Sequence, residues 1–226
     1  MKYFVINPGG NITALVKFHS SLDKIKINDL IMKKDQRVEQ VGFFTVDINK
    51  KKYYLEMAGD EFCGNATRSF AFLISTHFNK NLKNIYIQNN VFKEKILCRV
   101  NKKSTSLYFP INQIRTDNDF ICIGNTAHQL STNDKEKIKI NNKYEASGLI
   151  KYEKHRENVF EIKPQVYVKK INTLFNETSC LSGSIALYHK YKFKENIKII
   201  QPSKNILNIK KSKDRKYLII SGLVTY

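Results

Sequence analysis

Two cysteines stand where the chain turns into a helix. In "DEFCGNATRSF" Cys63 precedes a Gly-Asn pair and an apolar pattern of helical spacing; in "NETSCLSGSIAL" Cys180 precedes a Ser-Gly-Ser turn and a second such pattern. Backbone N–H groups at a helix start lack acceptors and the dipole there favours an anion, so a thiolate is stabilised at both positions. Inverting a carbon that carries a weakly acidic proton takes a base on one face and an acid on the other. Thiols with a reference pKa of about 8.5 serve as either and exchange roles with direction. Negative charge developing on an adjoining carboxylate would meet the N–H groups of the two helix ends.

Cys98 in "EKILCRV" and Cys122 in "DFICIG" lie in strand-like apolar runs and read as core. The four cysteines are widely separated, with no CxxC pair and no Cys/His cluster of zinc spacing, so no metal is expected. The start, "MKYFVINPGGNITALVKF", breaks any apolar run with Asn7, Pro8, Gly9, Gly10 and Asn11, which predicts neither a signal peptide nor a membrane partner. A cytoplasmic location follows as the expectation, and with it reduced thiols. No Gly-rich phosphate loop is present and no Schiff-base lysine is needed, so no cofactor is expected.

The elements that must position the two thiols are mostly strands. Runs such as "KYFVIN", "VGFFTVDI", "NIYIQN", "VFEIKPQVYV" and "YLIISGLVTY" are rich in Val, Ile, Tyr and Phe with partial alternation. Three windows read as helix. "SLDKIKINDLIMKK" offers Leu22, Ile25, Ile27, Leu30 and Ile31; "GNATRSFAFLISTHF" offers Ala66, Phe70, Leu73, Ile74 and His77 on one face; "SGSIALYHKY" follows Cys180. The 226 residues, 42% hydrophobic and 12% aromatic, suffice for one large globular domain or two small ones. An acid and a cysteine head two helices about half the chain apart, which suggests an internal duplication. Pro110 and the polar run after it put the boundary near residue 112, giving halves 1–112 and 113–226. The net charge of +19 alone suggests a polyanion partner. Its lysines are nevertheless scattered in short groups among Asn and Ile, which reads as solvated surface, and nucleic acid is not the expected partner.

At these residues the chain resembles a known family. "GGNIT", "EQVGF", "EFCGNAT", "IGN" and "NETSCLSGS" are similar, in that order, to the motifs of the diaminopimelate epimerase superfamily of cofactor-independent amino-acid racemases. Within it, "EFCGNAT" and the run "YVKKINTLFNETSC" resemble the histidine racemases of staphylopine-type metallophore synthesis. The resemblance implies an α/β fold of two pseudo-symmetric domains, each a β-sheet or barrel around a central helix. The last strand returns to the first domain, and the active site lies in the cleft. It implies Cys63 and Cys180 as catalytic thiols facing the substrate Cα from opposite sides. Backbone amides of Gly64, Asn65, Ala66 and of Ser182, Gly183, Ser184 hold the α-carboxylate; Asn11, Gln40 and Asn125 contact the substrate; Glu177 assists the second thiol.

The departures bear on substrate. Leu181 replaces a glycine in the second loop, and "GNTAH" puts His128 one residue late, leaving a catalytic and a plain core or surface role both open. "NTLFNET" lacks the Arg that meets the distal carboxylate of diaminopimelate. The expected substrate is a free amino acid, histidine, its imidazole donating to Glu39 and packing on Phe43. Diaminopimelate is the alternative substrate, and a non-catalytic polyanion-binding protein on the same fold the alternative of another class; a homodimer is compatible with either. Glu61 is expected to face solvent or cap the following helix.

Overall fold

The computed structural model describes residues 2–19, 23–80, 82–193 and 196–226. Leu22 lies outside them. The elements run β1 (Tyr3–Ile6), β2 (Thr13–Lys17), α1 (Lys24–Lys34), β3 (Gln40–Asp47), β4 (Lys52–Met57), α2 (Gly64–Leu73), β5 (Asn84–Gln88), β6 (Ile96–Asn101), β7 (Ser104–Pro110) and β8 (Ile114–Asp117). They continue with β9 (Phe120–Ile123), β10 (Thr126–Ser131), β11 (Ala146–Arg156), β12 (Val159–Val168), β13 (Thr173–Asn176), α3 (Leu181–Tyr191), β14 (Ile197–Ile200), β15 (Ile206–Lys211) and β16 (Tyr217–Leu223).

The strands join in one mixed sheet of order β1-β2-β3-β4-β5-β6-β7-β16-β15-β14-β12-β11-β10-β9-β8, with β13 added on β12. The final strand therefore sits between the halves of the chain: β16 pairs antiparallel with β7 on one side and with β15 on the other. The two buried helices pack on different strands of this sheet. α2 packs against β2, β3, β5, β6 and β7, and α3 against β9, β10 and β15.

This packing corrects the one-face expectation for the second helix. Every residue of α2 from Gly64 to Leu73 is buried, because strands surround it. A π turn, Ile74–Phe78, then widens the helix and leaves His77 exposed, edge-on to Phe4 and Phe78. α1 behaves as an ordinary surface helix. Ile27 and Ile31 bury against Val41, Phe43 and Ala58, whereas Ile25 and Leu30 stay exposed. Along β3 the two-residue period sends Phe43 toward α1 and Phe44 toward Phe70 of α2, 5.1 Å between ring centres. Gln40 and Phe43 therefore point to opposite faces.

Candidate active site

Both expected thiols cap helices. Cys63 is the N-cap of α2, its sulfur accepting from Ala66 N at 3.4 Å, and Cys180 is the N-cap of α3, its sulfur accepting from Gly183 N at 3.3 Å. Extended backbone at each cap turns the sulfur back over the first helical turn. The sulfurs line a single cavity of about 30 Å³ shared by Asn11, Gln40, Glu61, Gly64, Asn65, Thr126, Glu177 and Ser182. Strand residues Ala146, Val166 and Val168 form its apolar wall, with Phe62 beside them.

Each thiol has side-chain neighbours of its own. Cys63 Sγ donates to Gln40 Oε1 at 2.9 Å, and Gln40 is oriented by donating Nε2 to Thr13 Oγ1 at 2.6 Å. Cys180 Sγ lies 3.6 Å from Ser182 Oγ and close enough to Glu177 for their ionisations to be linked; Glu177 Oε1 accepts from Asn11 Nδ2 at 3.1 Å. Asn11 has a left-handed backbone (φ 55°), and its N–H donates to Thr178 Oγ1 at 2.7 Å, tying the glycine-rich turn to the Cys180 loop.

Burial decides the protonation of the site. It pushes the Cys63 thiol up to about 12, with the nearby Glu177 charge adding to the rise and the Ala66 N–H opposing it. It raises Cys180 well above the ordinary thiol value too, again with Glu177 reinforcing. The helix-end stabilisation read from the sequence is present in both caps, but desolvation outweighs it while the cavity is closed. Glu177 is pushed up to about 7, chiefly by burial, with the Cys180 thiol beside it opposing the rise.

Several residues expected to touch substrate are engaged elsewhere. Gly183 N bonds the Cys180 sulfur, Ser184 N bonds Cys180 O, and Ser184 Oγ also bonds Cys180 O at 2.6 Å. The helix-start amides without helical acceptors are thus those of Gly64 and Asn65 in α2 and of Leu181 and Ser182 in α3. Leu181, the departure from glycine, lays its side chain over Gly64, where an added Cβ would stand 2.5 Å from Leu181 Cδ2. Asn125 does not line the cavity: its Oδ1 accepts from Phe62 N at 2.8 Å and its Nδ2 donates to Asp60 O at 2.9 Å. The Glu39 carboxylate accepts from Ile12 N, Thr178 N and Thr178 Oγ1, so both its oxygens are used in holding the Cys180 loop. Phe43 lies outside the cavity, under α1. His128 is fully buried beside Gly148, where a Cβ would come 2.3 Å from its Nδ1, and burial lowers its pKa to about 3; it too is absent from the cavity lining.

Two residues of consequence, Gln201 and Arg68, escaped sequence reasoning, and a third, Glu61, stands elsewhere than expected. Gln201, fully buried, accepts from Cys180 N at 2.9 Å and donates to Ser184 Oγ at 3.2 Å, bracing the cap. Arg68, also fully buried, donates to Thr105 O, Pro8 O, Leu223 O and Asn65 Oδ1; Asn65 in turn donates to Ser179 O at 3.0 Å, beside Cys180. Glu61 lines the cavity instead of facing solvent. A local acid-before-helix rule carries no signal for any of them.

Residues 1–118 match the family model described as the histidine racemase CntK N-terminal domain. The chain is also 30% identical to a histidine racemase of Fusobacterium nucleatum subsp. nucleatum, over 90% of this chain and 87% of that protein. It belongs to the histidine racemase family. The protein is therefore an amino-acid racemase, an isomerase. The fold recurs at low identity in solved structures. The PhzF-family phenazine biosynthesis protein of Enterococcus faecalis is similar with a TM-score of 0.64 at 12% identity, covering 99% of this chain and 95% of that one. A hydroxyproline epimerase of Agrobacterium vitis, solved with trans-4-hydroxy-L-proline, has a TM-score of 0.54 at 7% identity, covering 99% and 88%. Among the described residues of this histidine racemase family member, no helix is long and apolar enough to cross a membrane.

Proposed function

We propose that the protein interconverts L- and D-histidine by two-base proton transfer at Cα, with Cys63 and Cys180 on opposite faces of that carbon and no cofactor. The observation that carries this reading is the opening of both cysteine-capped helices onto one cavity. In one direction one sulfur, as thiolate, takes the Cα proton while the other, as thiol, supplies a proton to the opposite face; the two cysteines end with their protonation exchanged. The Cα electron pair delocalises into the α-carboxylate, which the amides of Gly64, Asn65, Leu181 and Ser182 would receive. Glu177 assists Cys180, and Gln40 orients Cys63. Binding of the substrate ammonium beside Glu177 removes the repulsion that adds to burial in holding both thiols neutral, so ionisation accompanies binding. On this reading residues 1–112 and 113–226 are two pseudo-symmetric domains joined through β16, working on a free amino acid in the cytoplasm, where the thiols stay reduced.

Purified protein without pyridoxal phosphate should racemise histidine from either enantiomer and incorporate one solvent deuterium at Cα, read by mass and chiral chromatography. Cys63→Ser and Cys180→Ser should each lower kcat by at least a thousandfold with unchanged circular dichroism, since a serine hydroxyl is too weak a base. Near-normal turnover by either variant would sink the two-thiol mechanism. Faster turnover of diaminopimelate than of histidine would overturn the substrate assignment alone.

A further inference from the structure

Glu61 lines the cavity with a carboxylate of which one oxygen has no partner. Its Oε2 is shielded from solvent and accepts no hydrogen bond, and the other cavity carboxylate atom in that condition is Glu177 Oε2. Burial pushes Glu61 up to about 8, opposed by a hydrogen bond from its own backbone N–H and reinforced by the charges of Glu177, Asp60 and Glu145. A buried acceptor left unmade costs free energy until a ligand supplies a donor.

The backbone under Glu61 is fixed from both sides. Asn125 clamps Asp60 O and Phe62 N around it, and Asp60 adopts a left-handed backbone, φ 62°. The Asp60 side chain is paired with Lys24 at 3.2 Å and with Lys170. Strain held by so many contacts is a feature of sites whose geometry is set in advance. The carboxylate folds back over Gly59, where a Cβ would lie 2.4 Å from Glu61 Oε2; only a residue without a side chain leaves that room.

We propose that Glu61 is the specificity-determining acceptor for the substrate side chain, receiving an imidazole N–H, with Glu177 receiving the α-ammonium. The inference rests on the histidine reading above and replaces Glu39 in it. Cα has four substituents. The proton lies on the axis between the cysteines and the carboxylate at the helix starts, which leaves an ammonium and a side chain for the two orphaned oxygens. Glu177 belongs to the ammonium because it is held by Asn11 and linked electrostatically to Cys180, one of the two thiols that flank Cα. Glu61 therefore takes the remaining nitrogen, beside the apolar wall of Phe62, Val166 and Val168 on which a flat ring packs. A side chain without an N–H would leave Glu61 unpaired and be rejected. A distal carboxylate brings no N–H donor and would be buried with no cationic residue among those lining the cavity.

The test compares L-histidine with β-(2-thienyl)-L-alanine, a ring of similar size lacking the N–H, on wild type, Glu61→Gln and Glu61→Ala, with circular dichroism confirming the fold. In both variants KM for histidine should rise at least tenfold, kcat should fall less than KM rises, and the histidine-to-thienylalanine ratio of kcat/KM should drop at least tenfold. A histidine KM within threefold of wild type in the isosteric Glu61→Gln variant would overturn the assignment. So would an equal loss on both substrates, which would place Glu61 at the shared Cα chemistry. Wild-type enzyme that exchanges no histidine proton would instead sink the proposed function. Glu61 would then be judged on the amino acid with the largest wild-type exchange, and a KM there unmoved by Glu61→Ala overturns it.

Discussion

Cys63 shows a conflict that runs through the site: the helix start supplies an N–H to its sulfur, yet burial pushes the thiol up to about 12. The type and position of both cysteines were legible in the sequence because capping is local; their protonation was not, because it depends first on burial, a tertiary property, and for Cys63 also on Glu177 from the other half of the chain. Glu61 was misread for the same reason. Its neighbours in sequence describe a helix start, and its neighbours in space are Val168 and the Glu177 carboxylate. Its raised pKa also has a consequence for stability. Between the ordinary 4.5 and about 8 the folded chain binds a proton that the unfolded chain has released, so stability falls as pH rises through that window. Below it both states are protonated and the penalty is absent; above it the penalty is complete. Glu61→Gln should therefore raise the melting temperature of the ligand-free protein at pH 9, by roughly 2–4 °C per kcal/mol removed, and change it little at pH 4.5. Equal melting temperatures of variant and wild type at both pH values would show that Glu61 carries no burial penalty. The same substitution should weaken histidine use, so the site retains a group that costs stability for recognition.

At the level of elements, the strands read from alternation are present and the three helices start within a residue or two of their expected caps. β8, β10, β13 and β15 were not legible: "IRTD", "TAHQLS", "TLFN" and "ILNIKK" mix polar residues into short runs that only pairing with neighbours makes extended. α2 lost its expected polar face because its surroundings are strands on every side, which no one-dimensional pattern encodes. The meeting of α2 and α3 is also a tertiary fact. Gly64 and Leu181 touch at the two helix starts, so the leucine that looked like a defect in the second loop fills the space a glycine leaves in the first. Gly64→Ala should push Leu181 away and misalign the two caps, lowering kcat/KM by roughly a hundredfold, the scale of a 1 Å misplacement. Adding Leu181→Gly should return most of that loss, because it removes the atoms that collide. A double variant no better than Gly64→Ala alone would locate the damage elsewhere.

For the molecule as a whole, a cavity of about 30 Å³ has room for a water and none for an amino acid, so binding an amino acid requires the residues around it to move apart. The ladder of β16 on β7 and β15 is continuous and can persist through such a motion. What must break are the side-chain contacts across the cleft: Asn11 with Glu177, Glu39 with Thr178, Asn65 with Ser179, Asn125 with the Asp60–Phe62 backbone, and Lys170 with Asp60. Asn65 with Ser179 is buried and the others are half-buried, whereas the Lys170–Asp60 pair is partly exposed, at 37% and 30%, and its loss should loosen closure without disturbing the caps. An exposed pair is worth ~1 kcal/mol or less, so Lys170→Ala should raise the open fraction by up to about fivefold. A thiol reagent applied to the ligand-free protein should then modify Cys63 and Cys180 up to about fivefold faster than in wild type. Labelling of Cys98 and Cys122, fully buried in β6 and β9, should not change and serves as the internal control. Raising the salt concentration should speed labelling in wild type and do little in Lys170→Ala, because screening removes the same attraction. Identical labelling rates at low salt in the two proteins would mean that this pair does not hold the cleft shut, and that closure resides in the contacts between Glu39, Thr178, Asn65 and Ser179.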